Sequence, residues 1–327
     1  MKVISRYIGI IALVALFIVL PIFSARYFLQ TARITSLEQG TPNYLAHESP
    51  PKSTEEVNNK LAGVLAKNFQ NIEAIPRVFL TRLPESLPEI ENTAKRKQLF
   101  ISTMLPLILR SNELILADRK TALKLKRKIN RGYLLRATER DWIHGLFRKY
   151  LSQQERAQIA LQPSETDIDR LLYKLDTIPP SLAMAQAAIE SGWGSSYFSQ
   201  EGNALFGQWV WDDNEPGIVP RGREEGKTHR VKSFEYLLDS VISYMTNLNR
   251  NSNYPGLRSR RAELKKHNLP VTGLALAPSL LKYSEQGSEY VSKVISMINY
   301  NGFDALDNAS LAPTRRIADN TTILASN

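Results

Sequence analysis

Hydrophobic and polar positions divide the chain into stretches of different character. Residues 7–23 are seventeen continuously apolar positions behind Lys2 and Arg6. That pattern predicts a signal peptide or an uncleaved anchor. Phe23 or Ile22 occupies the upstream position of any small-x-small cleavage site ending at Ala25 or Ser24, which favours the anchor. Arg26 and Arg33 follow it, so the charge asymmetry across the segment is weak. Residues 34–56 carry Gly40, Pro42, Pro50, Pro51, Ser53 and Thr54 without periodicity and predict a tether. From 55 to 160 the spacing becomes helical. Val57, Leu61, Val64 and Leu65 share one face, and Leu99, Phe100, Met104 and Leu107 share another, with Pro106 predicting a kink. Between these helices the prolines of VFLTRLPESLPEI mark breaks.

A second helical regime begins at ETDIDRLLYKLDTI (165–178) and leads into the stretch PSLAMAQAAIESGWGSSYFSQEGNALFG, residues 180–207. Pro180 suits a first helical position and Gly192 a left-handed stop. Leu182, Ala185, Gln186 and Ile189 follow one helical face, and Ala183, Ala187 and Glu190 a neighbouring one. Residues 208–233 then change character. Trp209–Trp211 reads as a strand, DDNEPGIVPRGREEGK as a Gly-, Pro- and charge-rich turn, and His229–Lys232 as the returning strand of a small hairpin lobe. Ser233 is expected to cap a helix reaching Asn249, with Phe234, Leu237, Val241, Met245 and Leu248 inward, and NRNSNYPG to be a loop. Leu274–Tyr283 reads as helical. Ser288 is expected to cap a last helix with Val291, Val294, Ile295 and Ile298 inward, ended by Asn301-Gly302. Residues 308–327 are polar and unpatterned, which predicts a disordered tail.

Composition narrows the possible chemistry. Hydrophobic content is 43%, enough for a packed core in 327 residues. The absence of cysteine excludes disulfides, thiolate metal sites and cysteine nucleophiles. His47, His144, His229 and His267 have no ligand spacing, so no metal or cofactor is expected. The net charge is +10 and the pI about 9.6, which points to anionic partners. Eleven Lys or Arg against Glu139 and Asp141 lie between residues 119 and 149. No recognition motif accompanies them, so nucleic acid is not an expected partner. They read as a solvated face able to dock on an anionic surface.

Glu190 is the candidate for chemistry. A carboxylate at a helix C-terminus sits at the negative end of the macrodipole, and apolar neighbours such as Trp193 and Ile189 disfavour its charge further. Both influences favour a carboxylic acid that holds its proton near neutral pH and can act as a general acid. Ser191 has no histidine base at an informative spacing and reads as a turn or capping hydroxyl. Asn203 is expected to pin its turn through backbone hydrogen bonds.

The segment AQAAIESGWGSSYFSQEGNALFGQW resembles the signature of bacterial Bax-type proteins of the glucosaminidase group, glycoside hydrolase family 73. GIVPRGR, SFEYLLDSVISYMTNLN with YPGLRSRRA, and KYSEQGSEYVSKVISMI are similar too, as are LPESLPEI and KRKQLFISTMLPLILRSNELILADR upstream. The likeness covers roughly residues 75–305. It implies a mainly α, lysozyme-like α+β catalytic domain with a small β-hairpin lobe, preceded by a helical region and an N-terminal transmembrane or signal helix. The expected organisation is 1–29 signal-anchor, 30–56 linker, 57–160 helical region, 161–305 catalytic domain and 306–327 tail. The expected activity is periplasmic cleavage of the β-1,4 bond after N-acetylglucosamine in peptidoglycan glycan strands, with the inner membrane a partner through the N-terminal helix. The oligomeric state is left unassigned.

Glycoside hydrolysis usually uses a second carboxylate, at about 5–5.5 Å in retaining or about 6.5–9.5 Å in inverting enzymes. Asp212, Asp213, Glu215, Glu224 and Glu225 are candidates, and the resemblance places the second acid in this lobe, with Glu225 or Glu224 favoured. The substrate's 2-acetamido group is a third route. By the same resemblance Tyr283 and Tyr290 lie near the site, where a phenol can bond the acetamide or support developing charge. Trp193, Phe206, Trp209 and Trp211 are candidate sugar platforms, Trp209 or Trp211 facing the cleft if the strand alternates, and Asn203 is a candidate substrate contact. The competing readings are a lytic transglycosylase or muramidase on the same glycan, and a wall-binding scaffold without turnover.

Overall fold

The computed structural model describes residues 74–313 except Glu225. The expected anchor, the tether and the Val57–Leu65 face lie outside them. Numbered within the described residues, the helices are α1 Thr93–Asn130, α2 Ala137–Tyr150, α3 Gln153–Ala157, α4 Glu165–Lys174, α5 Pro180–Ser191, α6 Tyr197–Gly202, α7 Leu237–Arg250, α8 Pro255–Lys266, α9 Gly273–Leu276 and α10 Ser288–Asn301. Short 3-10 turns cover Leu87–Glu89, Ala277–Leu280 and Phe303–Asn308. The strands are β1 Trp209–Val210, β2 Gly217–Ile218 and β3 Arg230–Lys232. The fold is mainly α.

The architecture is set by two helices. α1 is 38 residues long and carries the inward stripe expected of it: Leu99, Phe100, Met104 and Leu107 are all buried. Asn92 caps its start by accepting from the Lys95 amide at 3.0 Å, and Arg127 and Lys128 complement the dipole at its end. It runs unbroken through Pro106. Ser102 and Thr103 bond back to the carbonyls of Gln98 and Leu99 at 2.7 and 3.0 Å in the turn before it. By length and composition α1 could cross a membrane, but 78% of its most apolar window is buried in protein, as in a core helix. α1 packs on α4, α5 and α7.

α5 is the second organising helix, contacted by α1, α9, α10 and the last 3-10 turn. Its alanines are buried, so neighbouring backbones approach closely. Asp307 holds its start, accepting from the Ser181 amide at 2.9 Å, the Ser181 hydroxyl at 2.8 Å and the Gly273 amide at 3.0 Å. A side chain at Gly273 would meet Ser181 Oγ at 2.1 Å, so only glycine lets α9 seat there. Gly192 ends α5 in the left-handed region at φ 58°.

Several elements differ from the sequence expectation. The lobe is a three-stranded antiparallel sheet in the order β1-β3-β2, with Trp209 opposite Val231 and Ile218 also opposite Val231. β2 comes from the run expected to be a turn. Ser233 does not cap α7, which starts at Leu237: the Ser233 and Phe234 amides bond to Pro216 and Gly202 carbonyls, tying this segment to the lobe. Gly287 at φ 53°, not Ser288, precedes α10. The stretch 274–283 is split into α9, a 3-10 turn and further turns. α8 begins within the expected NRNSNYPG loop, at Pro255, where no helix was expected, because two of its inward residues, Arg258 and Arg261, are charged. The expected tail from 306 is ordered up to 313. Leu306 and Leu311 are buried, and Leu311 bridges to Ile75 with the Ile75 amide donating to the Ser310 carbonyl at 2.7 Å. Buried apolar contact and backbone pairing hold this segment, and residues 314–327 lie outside the description.

Candidate active site

Glu190 lies in the last turn of α5, one residue before its end. Residues 180–188 of the helix are buried and Glu190 is half-buried, so its carboxyl is at the edge of the core. Burial pushes its proton affinity above the ordinary carboxylate value. A hydrogen bond from Tyr290 and the positive charge of Lys293 act in the opposite direction without cancelling the effect.

A hydrogen-bonded line of buried side chains ends on this carboxyl. Tyr244 of α7 donates to Gln186 Oε1 at 2.7 Å. Gln186 Nε2 donates to the Tyr290 hydroxyl at 2.9 Å. Tyr290 of α10 donates to Glu190 Oε1 at 2.6 Å. Gln186 and Glu190 are one turn apart on α5, so one helix supplies two members of the line. Both atoms of the Gln186 amide are engaged, which fixes its orientation and leaves the Tyr290 proton directed at Glu190. Burial and the neighbouring Glu190 charge hold the Tyr290 phenol far above its usual range, so it stays protonated as a donor.

The other carboxyl oxygen has different surroundings. A side chain on Gly207 would come within 3.9 Å of Glu190 Oε2, and Gly207 adopts φ 58°. Glycine at this position keeps the chain bare beside Oε2. Among the described residues no hydrogen bond is made to Oε2. One oxygen is therefore oriented by the protein and the other remains available.

An aromatic group surrounds the line. Tyr283 stacks on Tyr290 with ring centroids 5.3 Å apart and planes 10° from parallel, and its hydroxyl donates to the Phe206 carbonyl at 3.4 Å. Tyr254 packs against Tyr283, and Phe206 stacks on Tyr244 at 3.9 Å. The backbone of Phe206 thus reaches the site while its ring is buried in the core.

The remaining residues singled out in the sequence are distributed around this centre. Trp193, at φ 60°, packs on Phe100 and Phe303 with Lys97 over its ring, joining the α5 turn to α1. None of those contacts belongs to the Glu190 line. Asn203, also left-handed, is fully buried and donates to the Phe234 and Glu235 carbonyls at 3.1 and 3.0 Å, so it pins the turn and offers no surface to a ligand. Ser191 donates to the Ala187 carbonyl at 2.6 Å and accepts from the Gly194 amide at 2.8 Å, a turn role. Trp209 and Trp211 flank buried Val210 and are exposed on the lobe, Trp209 edge-on to His229.

Of the lobe carboxylates, Glu215 pairs with Lys232, Asp213 with Arg230, and Asp212 accepts from the Asn214 amide. Glu224 is exposed, and Glu225 lies outside the described residues. Among the described residues no second carboxylate contacts Glu190. No group of three or more His, Asp or Glu among them could hold a metal ion.

Gln186, Tyr244 and Lys293 were not anticipated as members of the site. The signal available for Gln186 was an amide in the middle of an otherwise apolar buried face, four residues before the suspect acid. Tyr244 was hidden because a tyrosine on an inward stripe reads as packing.

Residues 168–303 match the model of the glucosaminidase family, described as mannosyl-glycoprotein endo-beta-N-acetylglucosaminidase. The match takes in α5, the lobe, α7 and α10, and with them every residue of the Glu190 line. The chain is also similar to Protein bax of Escherichia coli (strain K12), 28% identical over 222 residues that cover 66% of this chain and 74% of that protein. No solved structure matches the chain significantly. Residues 168–303 thus match a glucosaminidase-family domain within a chain similar to a Bax-type protein, and both likenesses support a glycosidase-type enzyme.

Proposed function

We propose that the protein is a peptidoglycan hydrolase that cleaves the β-1,4 bond after N-acetylglucosamine, with Glu190 as the general acid. The observation that carries this reading is the asymmetry of the Glu190 carboxyl, with Oε1 held by Tyr290 and Oε2 unpaired beside Gly207 in a setting that favours the protonated form. In this reading Oε2 carries the proton. The lysozyme-like character of the catalytic domain, its periplasmic location and its anchoring by residues 7–23 belong to the same proposal.

The reaction proceeds as two displacements. The acetamido oxygen of the bound N-acetylglucosamine forms a bond to its own C1 while the C1–oxygen bond to the next sugar breaks, and Glu190 gives its proton to the departing oxygen. Water then adds to C1 and releases the acetamido oxygen, and the Glu190 carboxylate takes the water's proton. Support for substrate assistance comes from the lobe, whose described carboxylates are exposed or engaged in local pairs. Tyr283, stacked beside Tyr290, is suited to bond the acetamide. Exposed Trp209 and Trp211 are suited to stack on flanking sugars.

Mass spectrometry of muropeptides released from isolated cell walls tests the assignment. Reducing-end N-acetylglucosamine supports it. Products ending in 1,6-anhydromuramic acid would instead indicate a lytic transglycosylase, and absence of any product a wall-binding scaffold. Glu224→Gln and Glu225→Gln test the second-acid alternative: each retains activity under substrate assistance, and a loss of about a hundredfold or more in either would replace that mechanism.

A further inference from the structure

The far end of α1 carries a surface that the site does not use. Lys124, Arg127 and Arg131 follow an i, i+3, i+7 spacing at the end of the helix and are exposed. Among the described residues none of their side chains has an acidic partner. Three acids of this region are engaged elsewhere: Glu139 by Lys128 and Arg136, and Glu165 and Asp169 by Lys126.

Directly beyond these cations the chain exposes apolar side chains. Tyr133 is 63% exposed and Leu134 is 74% exposed in the loop after α1. Leu161, 71% exposed, lies in a second loop bound to the first. The Leu135 amide donates to Gln162 Oε1 at 3.2 Å, and Gln162 Nε2 donates to the Leu135 carbonyl at 3.1 Å. Two loops coupled through the Gln162 side chain thus present three large apolar groups beyond the end of α1, beside cations without an acidic partner among the described residues. A solvated charged face does not need them.

We propose that this end of the molecule docks on an anionic phospholipid surface, with Tyr133, Leu134 and Leu161 entering the headgroup–acyl boundary and Lys124, Arg127 and Arg131 meeting the lipid phosphates. Exposed apolar groups next to exposed cations suit a bilayer interface, which offers negative charge and an apolar layer beneath it. An anionic wall polymer offers the charge alone and leaves the apolar tip unexplained. The placement also has a consequence for reach. Lys97, near the start of α1, covers the Trp193 and Tyr300 rings, and from Lys97 to Arg131 the helix rises about 50 Å. The docked tip and the end of α1 that supports α5 are therefore far apart.

The chain contains no cysteine, so one can be introduced for labelling. The full chain carrying Leu134→Cys, labelled with an environment-sensitive fluorophore, is mixed with phosphatidylglycerol vesicles, phosphatidylcholine vesicles or a soluble anionic wall polymer. Tyr300→Cys, on a residue 84% exposed near the opposite end of α1, is the control. The label reports its own position, so insertion of residues 7–23 does not mimic the signal. The expected result is a blue shift and protection from an aqueous quencher at 134 with phosphatidylglycerol only, absent at 300. It should be lost when Lys124→Glu, Arg127→Glu and Arg131→Glu are combined. An unshifted label at 134, equal shifts at 134 and 300, equal shifts with both lipids, or protection by the wall polymer instead of vesicles overturns the proposal.

Discussion

At Glu190 burial and hydrogen bonding act in opposite directions, and each can be removed separately. Burial raises the proton affinity of the folded-state carboxyl above its ordinary value of 4.5. Such a group contributes stability that is fully present below 4.5 and lost as pH rises through the raised value. Glu190→Gln removes the ionisation, so at pH 7 the variant should melt at a higher temperature than the parent, the two converging below pH 4.5. Scanning calorimetry across that range checks the sign. Tyr290→Phe removes a donor that favours the charged form. The alkaline limb of kcat/KM against pH should therefore move upward in that variant, whereas a merely structural role for Tyr290 would leave the limb in place. Gln186→Leu should move it the same way and less, because Gln186 acts only through Tyr290.

Among the elements, α5 was legible because local chemistry and burial agree: Pro180 at the start, Gly192 at the end and small apolar residues between. Its anchoring was not legible, since Asp307 is 126 residues from Ser181 and no periodicity connects them. Asp307→Ala deprives the buried donors of Ser181 and Gly273 of their acceptor. It should cost about 1–3 kcal/mol in urea unfolding, and the same experiment on Asp307→Asn should show a smaller loss. α8 was missed for a different reason. Arg261 is buried and donates to the carbonyls of Tyr173, Lys174, Asp176 and Thr177 and to Asn249, closing the end of α4. Burial pulls its guanidinium down to about 10. A buried arginine is indistinguishable from a solvated one in sequence, so the inward face of α8 read as polar. Likewise β2 is two residues long and is fixed by pairing with β3, beyond the reach of any local signal.

Across the whole molecule, α1 and the domain that contains Glu190 share one core. Phe100, Met104, Leu107 and Ile108 are buried where α1 meets its neighbours, and Gly194, just after the end of α5, approaches Phe100, Leu83 and Leu87 so closely that a side chain there would clash. A fragment beginning at residue 161 exposes that apolar surface. It should show no cooperative thermal transition, whereas residues 74–313 should melt in one. The raised proton affinity of Glu190 and its hydrogen bond from Tyr290 support the proposal that this carboxyl delivers the proton that breaks the glycan. The most direct test is to incubate folded Glu190→Gln and the parent chain with isolated cell walls and measure reducing-end N-acetylglucosamine by mass spectrometry. The account predicts a fall of about a hundred- to ten-thousandfold in its release. Release at the parent rate by the folded variant would contradict it.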